Sequence, residues 1–393
     1  MTGPDIVVIG GGIAGASAAF ALSRHPSGPT VTVVEADTGL TRHTTGRSAA
    51  ILIENYGTPP LKALTRASLP FLTDPPTGLA DDPLLAPRGM LSVAGPDQDD
   101  AFEQLLADGL AISATVREID GAGAATLFPP LRPELVHRAL HDPEPADIDV
   151  AALHQAFVRA TVAAGGSFAT RHRAVALERR RGRWRITIDT GPTVGPPAGP
   201  ADAATLEADL VVDAAGAWGD EVATRAGVVP LGLRPLRRTA FMVTARSDVP
   251  PHAPLVADVE HSWYVKPDGP QLLCSPADET PSDPCDAKPE EVDIARAIDA
   301  INAATTLDIR TVRSSWAGLR TFSPDRTMVI GPDPTEPSFV WCVGQGGTGI
   351  QTSPAAGQLV ADLSLDGSPG PLFDRTGTSA AVDLLRPDRF GGR

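Results

Sequence analysis

The sequence predicts an α/β fold in which a parallel-sheet nucleotide-binding domain is interleaved with an antiparallel α+β domain, and three observations predict it. The first is "DIVVIGGGIAGASAAFALS", residues 5–23: an apolar strand, a G-x-G-x-x-G run at Gly10, Gly12 and Gly15, then a small-residue helix. The second is "TVTVVEAD", residues 30–37, an apolar strand that places Glu35 20 residues after Gly15. Together they make a Rossmann-like βαβ opening. The third is that residues 51–145 and 230–312 read as longer strands and turns, between stretches of the first kind.

In such an opening Gly10 makes the tight turn, Gly12 lets the backbone approach a pyrophosphate, and Gly15 lets helix pack on strand. The helix N-terminus at Ile13 and Ala14 offers free N–H groups to phosphate. Glu35, followed by Ala36, offers a carboxylate to ribose hydroxyls. These residues are the first candidate contacts with a dinucleotide.

"GQGGTG", residues 344–349, repeats the glycine pattern after the strand "FVWCV", but no second strand ending in an acid comes after it; the chain instead reads "SPGPLF". A second Rossmann unit, and with it a reductase holding two dinucleotides, is therefore disfavoured. The residues after the loop read as a helix start, with Thr352 or Ser353 as N-cap, Pro354 at the first helical position and Gly367 as the stop. A glycine loop feeding a helix N-terminus suits an anion.

Between these ends, "DIDVAALHQAFVRATVAAGG" is an amphipathic helix, followed by strands "SFATR", "AVALERR" and "RWRITID". "ERRRGR" reads as a hairpin edge and "GPTVGPPAGPADAAT" as a mobile hairpin tip. "ADLVVDAAGAWG" returns as a buried parallel strand. "PLRRTAFMVTA" is a long strand, and "HSWYVKPDGPQLLCSP" is a hairpin turning at residues 267–269. The expected domains are residues 1–50, 146–229 and 313–393 for the nucleotide, and 51–145 and 230–312 for the substrate.

A net charge of −15 argues against a nucleic-acid surface. Cys274, Cys285 and Cys342 are too few and too scattered for a disulfide framework or a metal knuckle, so no metal site and a reducing, cytoplasmic setting are expected. The apolar stretch at residues 6–22 imitates a secretion signal, but Asp5 precedes it, a basic leader is missing and glycines interrupt it. No run is long enough to span a bilayer.

The motifs "VVIGGGIAGASAAFALS", "HTTGRSAA", "VVDAAGAW", "PLGLRPLRRTAF", "WYVKPD", "SSWAGLRTFSPD" and "VGQGGTGIQTSPAAG" resemble, in matching order, the FAD-dependent D-amino-acid oxidase superfamily. Within it they are most similar to bacterial D-arginine dehydrogenases. The resemblance implies FAD as cofactor and oxidative deamination of an amino acid to a 2-oxo acid and ammonia, by hydride transfer to flavin N5. Thr44, Thr45, Arg47, Ser48 and Ala49 would follow the flavin pyrophosphate to the ring, Val175 would hold the adenine half, and Ala215, Gly216 and Trp218 would line its far side. Gly346, Gly347, Gly349, Ile350, Gln351 and Thr352 would lie along the pyrimidine edge, where the helix dipole stabilises the negative charge of a reduced flavin. Residues 316–325 contain no cysteine, so the flavin is expected to be non-covalent.

Substrate residues come from the same resemblance: Arg238, Arg320, Tyr56 and Tyr264, with guanidinium forks suited to an α-carboxylate. Arg237 can exchange roles with Arg238, because adjacent strand residues face opposite ways. Lys266 shares a strand face with Tyr264 and reads as a solvated hairpin lysine. Where D-arginine dehydrogenases carry a glutamate against the substrate guanidinium this chain has Met90, and a histidine of that pocket falls on Ile51. Leaving a buried guanidinium unpaired costs roughly 3 to 5 kcal/mol, whereas burying an apolar side chain gains about 1.5 to 3, so apolar D-amino acids are expected. Glu54, two residues before Tyr56, is the competing acid in that pocket. A dehydrogenase handing electrons to a quinone or dye rather than to oxygen is expected; the alternatives are a glycine or sarcosine-type amine oxidase and a flavoprotein subunit of a hetero-oligomeric dehydrogenase.

Overall fold

The computed structural model describes residues 3–191, 204–244 and 249–391. Its first sheet has six strands in the order Val329–Pro332, Phe339–Val343, Leu210–Asp213, Asp5–Ile9, Thr30–Glu35 and Ser167–Thr170. All neighbours are parallel except the Val329–Pro332 edge strand, which runs antiparallel to Phe339–Val343. A parallel sheet needs cover on both faces, and its central strands are correspondingly rich in Val and Ile, while the edge strand Ser167–Thr170 is not. On one face Ile6, Val8, Val33 and Val340 pack with helices Ile13–Ser23 and Ser353–Ala361. On the other, Val7, Ile9 and Val211 meet Trp184 and Ile186 of a three-stranded sheet, Arg173–Arg180, Arg183–Asp189 and Ala204–Ala208.

Helix Ser353–Ala361 starts after Thr352 as N-cap and continues as a π turn, Asp362–Asp366, before Gly367 at φ +78°. It lies directly on the first helix: a Cβ at Gly357 would sit 2.3 Å from the Ser17 carbonyl oxygen. No strand comes after it among the described residues, so "GQGGTG" does not open a second βαβ unit. The "ERRRGR" stretch is a hairpin edge, with Arg180 opposite Arg183 and the turn at Arg181 and Gly182, both at positive φ. Most of the expected hairpin tip, residues 192–203, lies outside the described residues.

The second large sheet runs Thr280–Pro281, Arg234–Thr244, Gln271–Ser275, Tyr264–Asp268, Leu255–Asp258, Met90–Ala94, Arg138–Asp142 and Arg117–Ile119. Phe241, Val265 and Leu272 bury one of its faces under Ala297 and Ile301 of helix Glu291–Ala304. The hairpin within it turns at Gly269 and Pro270, because Pro267 stays in the strand opposite Leu272. Strand Ser314–Phe322, grouped by sequence with the nucleotide-binding segments, pairs along nine positions with Arg234–Thr244 in this sheet. Its end reaches back, as the Thr321 carbonyl accepts the Gly346 N–H at 2.8 Å. That link brings the C-terminal glycine loop to the substrate-side strands. A smaller sheet, Ile51–Leu52, Ala146–Ile148 and Leu85–Pro87, completes the strand pairing.

Candidate active site

Both glycine loops wall a single cavity of about 490 Å³. Gly10 holds φ +107°, and a Cβ there would meet the Ala214 carbonyl oxygen at 2.5 Å. Helix Ile13–Ser23 has no side-chain cap. Its first N–H, from Ile13, donates to Thr45 Oγ1 at 3.0 Å, drawing the "HTTGRSAA" segment against the loop. Glu35 faces the same space, accepting Gly11 N–H and Asp37 N–H at 2.8 Å each. Below them His154, from helix Val150–Ala163, donates Nε2–H to the Gly11 carbonyl at 2.9 Å. Burial pushes this imidazole down from its usual pKa, against the Gly11 hydrogen bond.

Gly10, Gly12, Ile13, Ala14, Glu35 and Ala36 all line the cavity, as do Thr44, Thr45, Arg47, Ser48 and Ala49. Ala215, Gly216, Trp218, Gly346, Gly347, Gly349 and Ile350 line it too. Gly15, Val175, Gln351 and Thr352 stand outside the lining. Gly15 packs backbone to backbone, since a Cβ there would be 1.8 Å from the Gly10 carbonyl oxygen. Gln351 instead clamps both backbone groups of Ile53 at 3.0 Å and the Thr65 hydroxyl at 2.8 Å. Thr352 closes its own turn through the Thr348 carbonyl. At Val175 the strand ladder steps from Ala174 opposite Ile188 to Ala176 opposite Thr187, a bulge that leaves Val175 out of register beside the cavity wall at Ala174. Arg47 is drawn to the Ala317 and Ala287 carbonyls at 2.7 and 3.1 Å and to Asp286, whose carboxyl it pulls down to about 2.

The register of Arg234–Thr244 against Ser314–Phe322 places Leu236 opposite Arg320, so Arg238, two residues on, shares Arg320's face. Both guanidinium side chains line the cavity, together with Tyr264. Arg237 points to the other face, where it meets Asp293 at 2.8 Å, Asp278 at 3.5 Å and Glu290. Arg238 donates Nε–H to the Asp278 carbonyl at 2.7 Å and reaches Glu279 at 3.3 Å. Arg320 donates to Tyr56 Oη at 3.0 Å and has no carboxylate within ion-pair distance among the described residues. Its field holds the Tyr56 phenol below the usual range, despite burial. Burial and the Arg320 charge lower Arg238. At Arg320 burial works against the charge, and the fields of Tyr56, Tyr264 and Glu279 outweigh it. Tyr56 packs under Gly347, where a Cβ would come within 3.2 Å of its ring.

Met90, Ile51 and Glu54 are not among the cavity's lining residues. Met90 is half-buried opposite Asp142 and Leu255, Ile51 is half-buried opposite Asp147, and Glu54 is engaged by Arg66 at 3.1 Å. Lys266 is not a solvated lysine. It is 4% exposed, with Nζ 2.6 Å from Asp147, which also takes Arg88 at 2.6 Å. Sequence reasoning missed Glu279 and Asp286, which pair with Arg238 and Arg47 across sequence gaps that no local motif spans.

The chain matches the family model described as DAO, FAD dependent oxidoreductase, over residues 5–363. It belongs to this family. It is 31% identical to FAD-dependent oxidoreductase domain-containing protein 1 of Bos taurus over 41% of this chain and 37% of that protein's length. It is 25% identical to glycine oxidase of Geobacillus kaustophilus (strain HTA426) over 91% of this chain and 92% of that one. In three dimensions it superimposes on L-proline dehydrogenase from P. horikoshii with a TM-score of 0.80, 18% identity, and coverage of 99% and 98% of the two chains. The chain is thus a member of the FAD dependent oxidoreductase family, and no helix among the described residues is long and apolar enough to cross a membrane. The cavity fits FAD on its own evidence: a bare glycine cradle, a helix N-terminus opening on it with no side-chain cap from its own N-cap residue, a carboxylate beside it and a bulged strand.

Proposed function

We propose that the protein deaminates D-amino acids oxidatively to 2-oxo acids and ammonia at a non-covalently held FAD. The observation that carries the reading is the pair Arg238 and Arg320 on one wall of the cavity that both glycine loops share. Arg320, a guanidinium with no acid partner among the described residues in a half-buried site, calls for an anion from outside, and the α-carboxylate of an amino acid supplies it in the planar geometry Arg prefers.

Glycines 10 and 12, the helix start at Ile13 and Glu35 would hold the diphosphate and ribose, the Val175 bulge the adenine half, and Gly346, Gly347 and Ile350 the pyrimidine edge. When bound, FAD supplies the acceptor for the hydride that leaves the substrate Cα. Arg320, steadied by Tyr56, and Arg238, steadied by the Asp278 carbonyl, fix the carboxylate and so the direction of the Cα–H bond. Tyr264 closes the same wall. Solvent takes the proton from the substrate ammonium. Among the described residues no cysteine lines the cavity, which supports a non-covalent flavin. D-handedness and the preference for apolar side chains both rest on the motif similarity to D-arginine dehydrogenases, in which Met90 and Ile51 stand where those enzymes carry a glutamate and a histidine; neither residue lines the cavity of this chain, so the side-chain preference has sequence support alone.

The glycine oxidase match along nearly the whole chain favours a second reading, a glycine or sarcosine-type amine oxidation by the same carboxylate clamp. One experiment separates them: the FAD-loaded protein is assayed with D- and L-amino acids, glycine and sarcosine, using an artificial electron acceptor and then oxygen. Turnover with apolar D-amino acids at least tenfold above glycine supports the first reading. Turnover confined to glycine or sarcosine replaces it with the second. A flavin-loaded protein that oxidises none of them contradicts both.

A further inference from the structure

We infer that Glu279 sets the charge class of the substrate: it occupies one of the two site arginines, fits the site to amino acids with a single carboxylate, and excludes dicarboxylic ones. The inference rests on the reading of Arg238 and Arg320 as the carboxylate-binding pair.

The two guanidinium groups lie on one face of paired strands and are not equivalent. Arg320 has Tyr56 Oη at 3.0 Å and no carboxylate partner among the described residues. Arg238 has Glu279 3.3 Å from Nη2. The Glu279 charge reaches beyond that contact, also bearing on Tyr56, Arg320 and His261. A substrate with one carboxylate therefore settles chiefly on Arg320, with Arg238 lending its charge while it stays paired to Glu279. A second carboxylate has Arg238 as its natural partner, and meets Glu279 there first.

Glu279 is fixed in that place. Arg326 Nη2 lies 2.9 Å from each Glu279 carboxylate oxygen, and the Arg326 guanidinium is itself stacked 3.9 Å over the Phe322 ring. Arg238 is pinned from the other side by the Asp278 carbonyl. Glu279 stands at the exposed rim beside the cavity wall formed by Arg238, so a second substrate carboxylate that seeks Arg238 meets a like charge already at that guanidinium. Glu279 acts on the substrate as a negative neighbour and takes no part in the chemistry.

The FAD-loaded protein is titrated with acetate and with malonate, following the flavin absorbance band, for the wild type, Glu279→Gln, Glu279→Asp and Arg326→Gln. Malonate affinity relative to acetate is expected to rise about tenfold in Glu279→Gln, to stay at the wild-type ratio in Glu279→Asp, which keeps the acid, and to rise by less than in Glu279→Gln in Arg326→Gln, which keeps the acid but frees it. Turnover should follow, with kcat/KM for D-Asp relative to D-Ala rising most in Glu279→Gln and staying unchanged in Glu279→Asp. A malonate-to-acetate ratio within twofold of wild type in Glu279→Gln overturns the inference, as does the same rise in Glu279→Asp, and so does a flavin band that neither anion perturbs in any variant. Failure of the amino-acid reading is a different result: no amino acid is turned over while the ratio still shifts.

Discussion

Replacing Arg320 by Met removes a charge while keeping much of the side-chain volume. Arg320 is the site's cation without an acid of its own among the described residues, and it holds the Tyr56 hydroxyl at 3.0 Å. Deleting one partner of a desolvated charge pair costs about 2 to 5 kcal/mol. At about 1.4 kcal/mol per factor of ten, that is a loss of roughly 30-fold to several thousand-fold in kcat/KM. The upper part of the range is expected, because Arg238 is already shared with Glu279 and Tyr56 loses its donor. Arg237→Met is the control. Arg237 faces away from the cavity into Asp278 and Asp293, so activity should change less than threefold while the melting temperature falls. The assay is steady-state oxidation of the best amino acid with an artificial acceptor, with the flavin spectrum confirming that cofactor remains bound. Less than threefold loss in Arg320→Met, or an equal loss in Arg237→Met with its flavin intact, refutes the assignment of that face to the substrate.

Two further predictions concern the cofactor and the core. Denaturing the FAD-loaded protein should release all of its yellow chromophore into the supernatant, and colour left on the precipitated chain would contradict a non-covalent flavin. Asp213, at the end of strand Leu210–Asp213, accepts the Ala215 N–H through one carboxylate oxygen and has no hydrogen-bond partner at the other among the described residues; burial pushes its carboxyl up to about 8. Between the ordinary carboxyl range near 3.8 and about 8 the native chain therefore keeps a proton that the unfolded chain has released, so this group makes stability fall as pH rises through that window. Asp213→Asn should flatten that fall in urea midpoints taken at pH 5, 6.5 and 8, and parallel wild-type and variant curves would show that Asp213 does not titrate there.

The cofactor end of the site was legible because it is local. Gly10, Gly12, Gly15 and Glu35 lie within 26 residues, and strand, turn, helix and strand succeed one another in chain order. The failure of "GQGGTG" as a second fingerprint was equally readable, because the helix after it leads to "SPGPLF" and not to a strand ending in an acid. That both loops line one cavity depends on the sheet order, which places Phe339–Val343 and Asp5–Ile9 on either side of Leu210–Asp213. The substrate end depends on register. Sequence alone left Arg237 and Arg238 interchangeable, and only the pairing of Leu236 with Arg320 settles which of them shares the Arg320 face. Lys266 misled because its acid partner, Asp147, lies 119 residues away in sequence. Strand Ser314–Phe322 misled a boundary, since it comes after the substrate segments in sequence, precedes the glycine loop, and hydrogen-bonds to both.

Oxidative deamination of apolar D-amino acids is tested most directly by anaerobic mixing of the FAD-loaded protein with single amino acids while the oxidised flavin band is recorded. Rapid bleaching by apolar D-amino acids is expected, with slower or no bleaching by their L-enantiomers and by D-Arg, and one 2-oxo acid formed per flavin reduced. A flavin that stays oxidised with every amino acid, yet bleaches with NADPH, would contradict it.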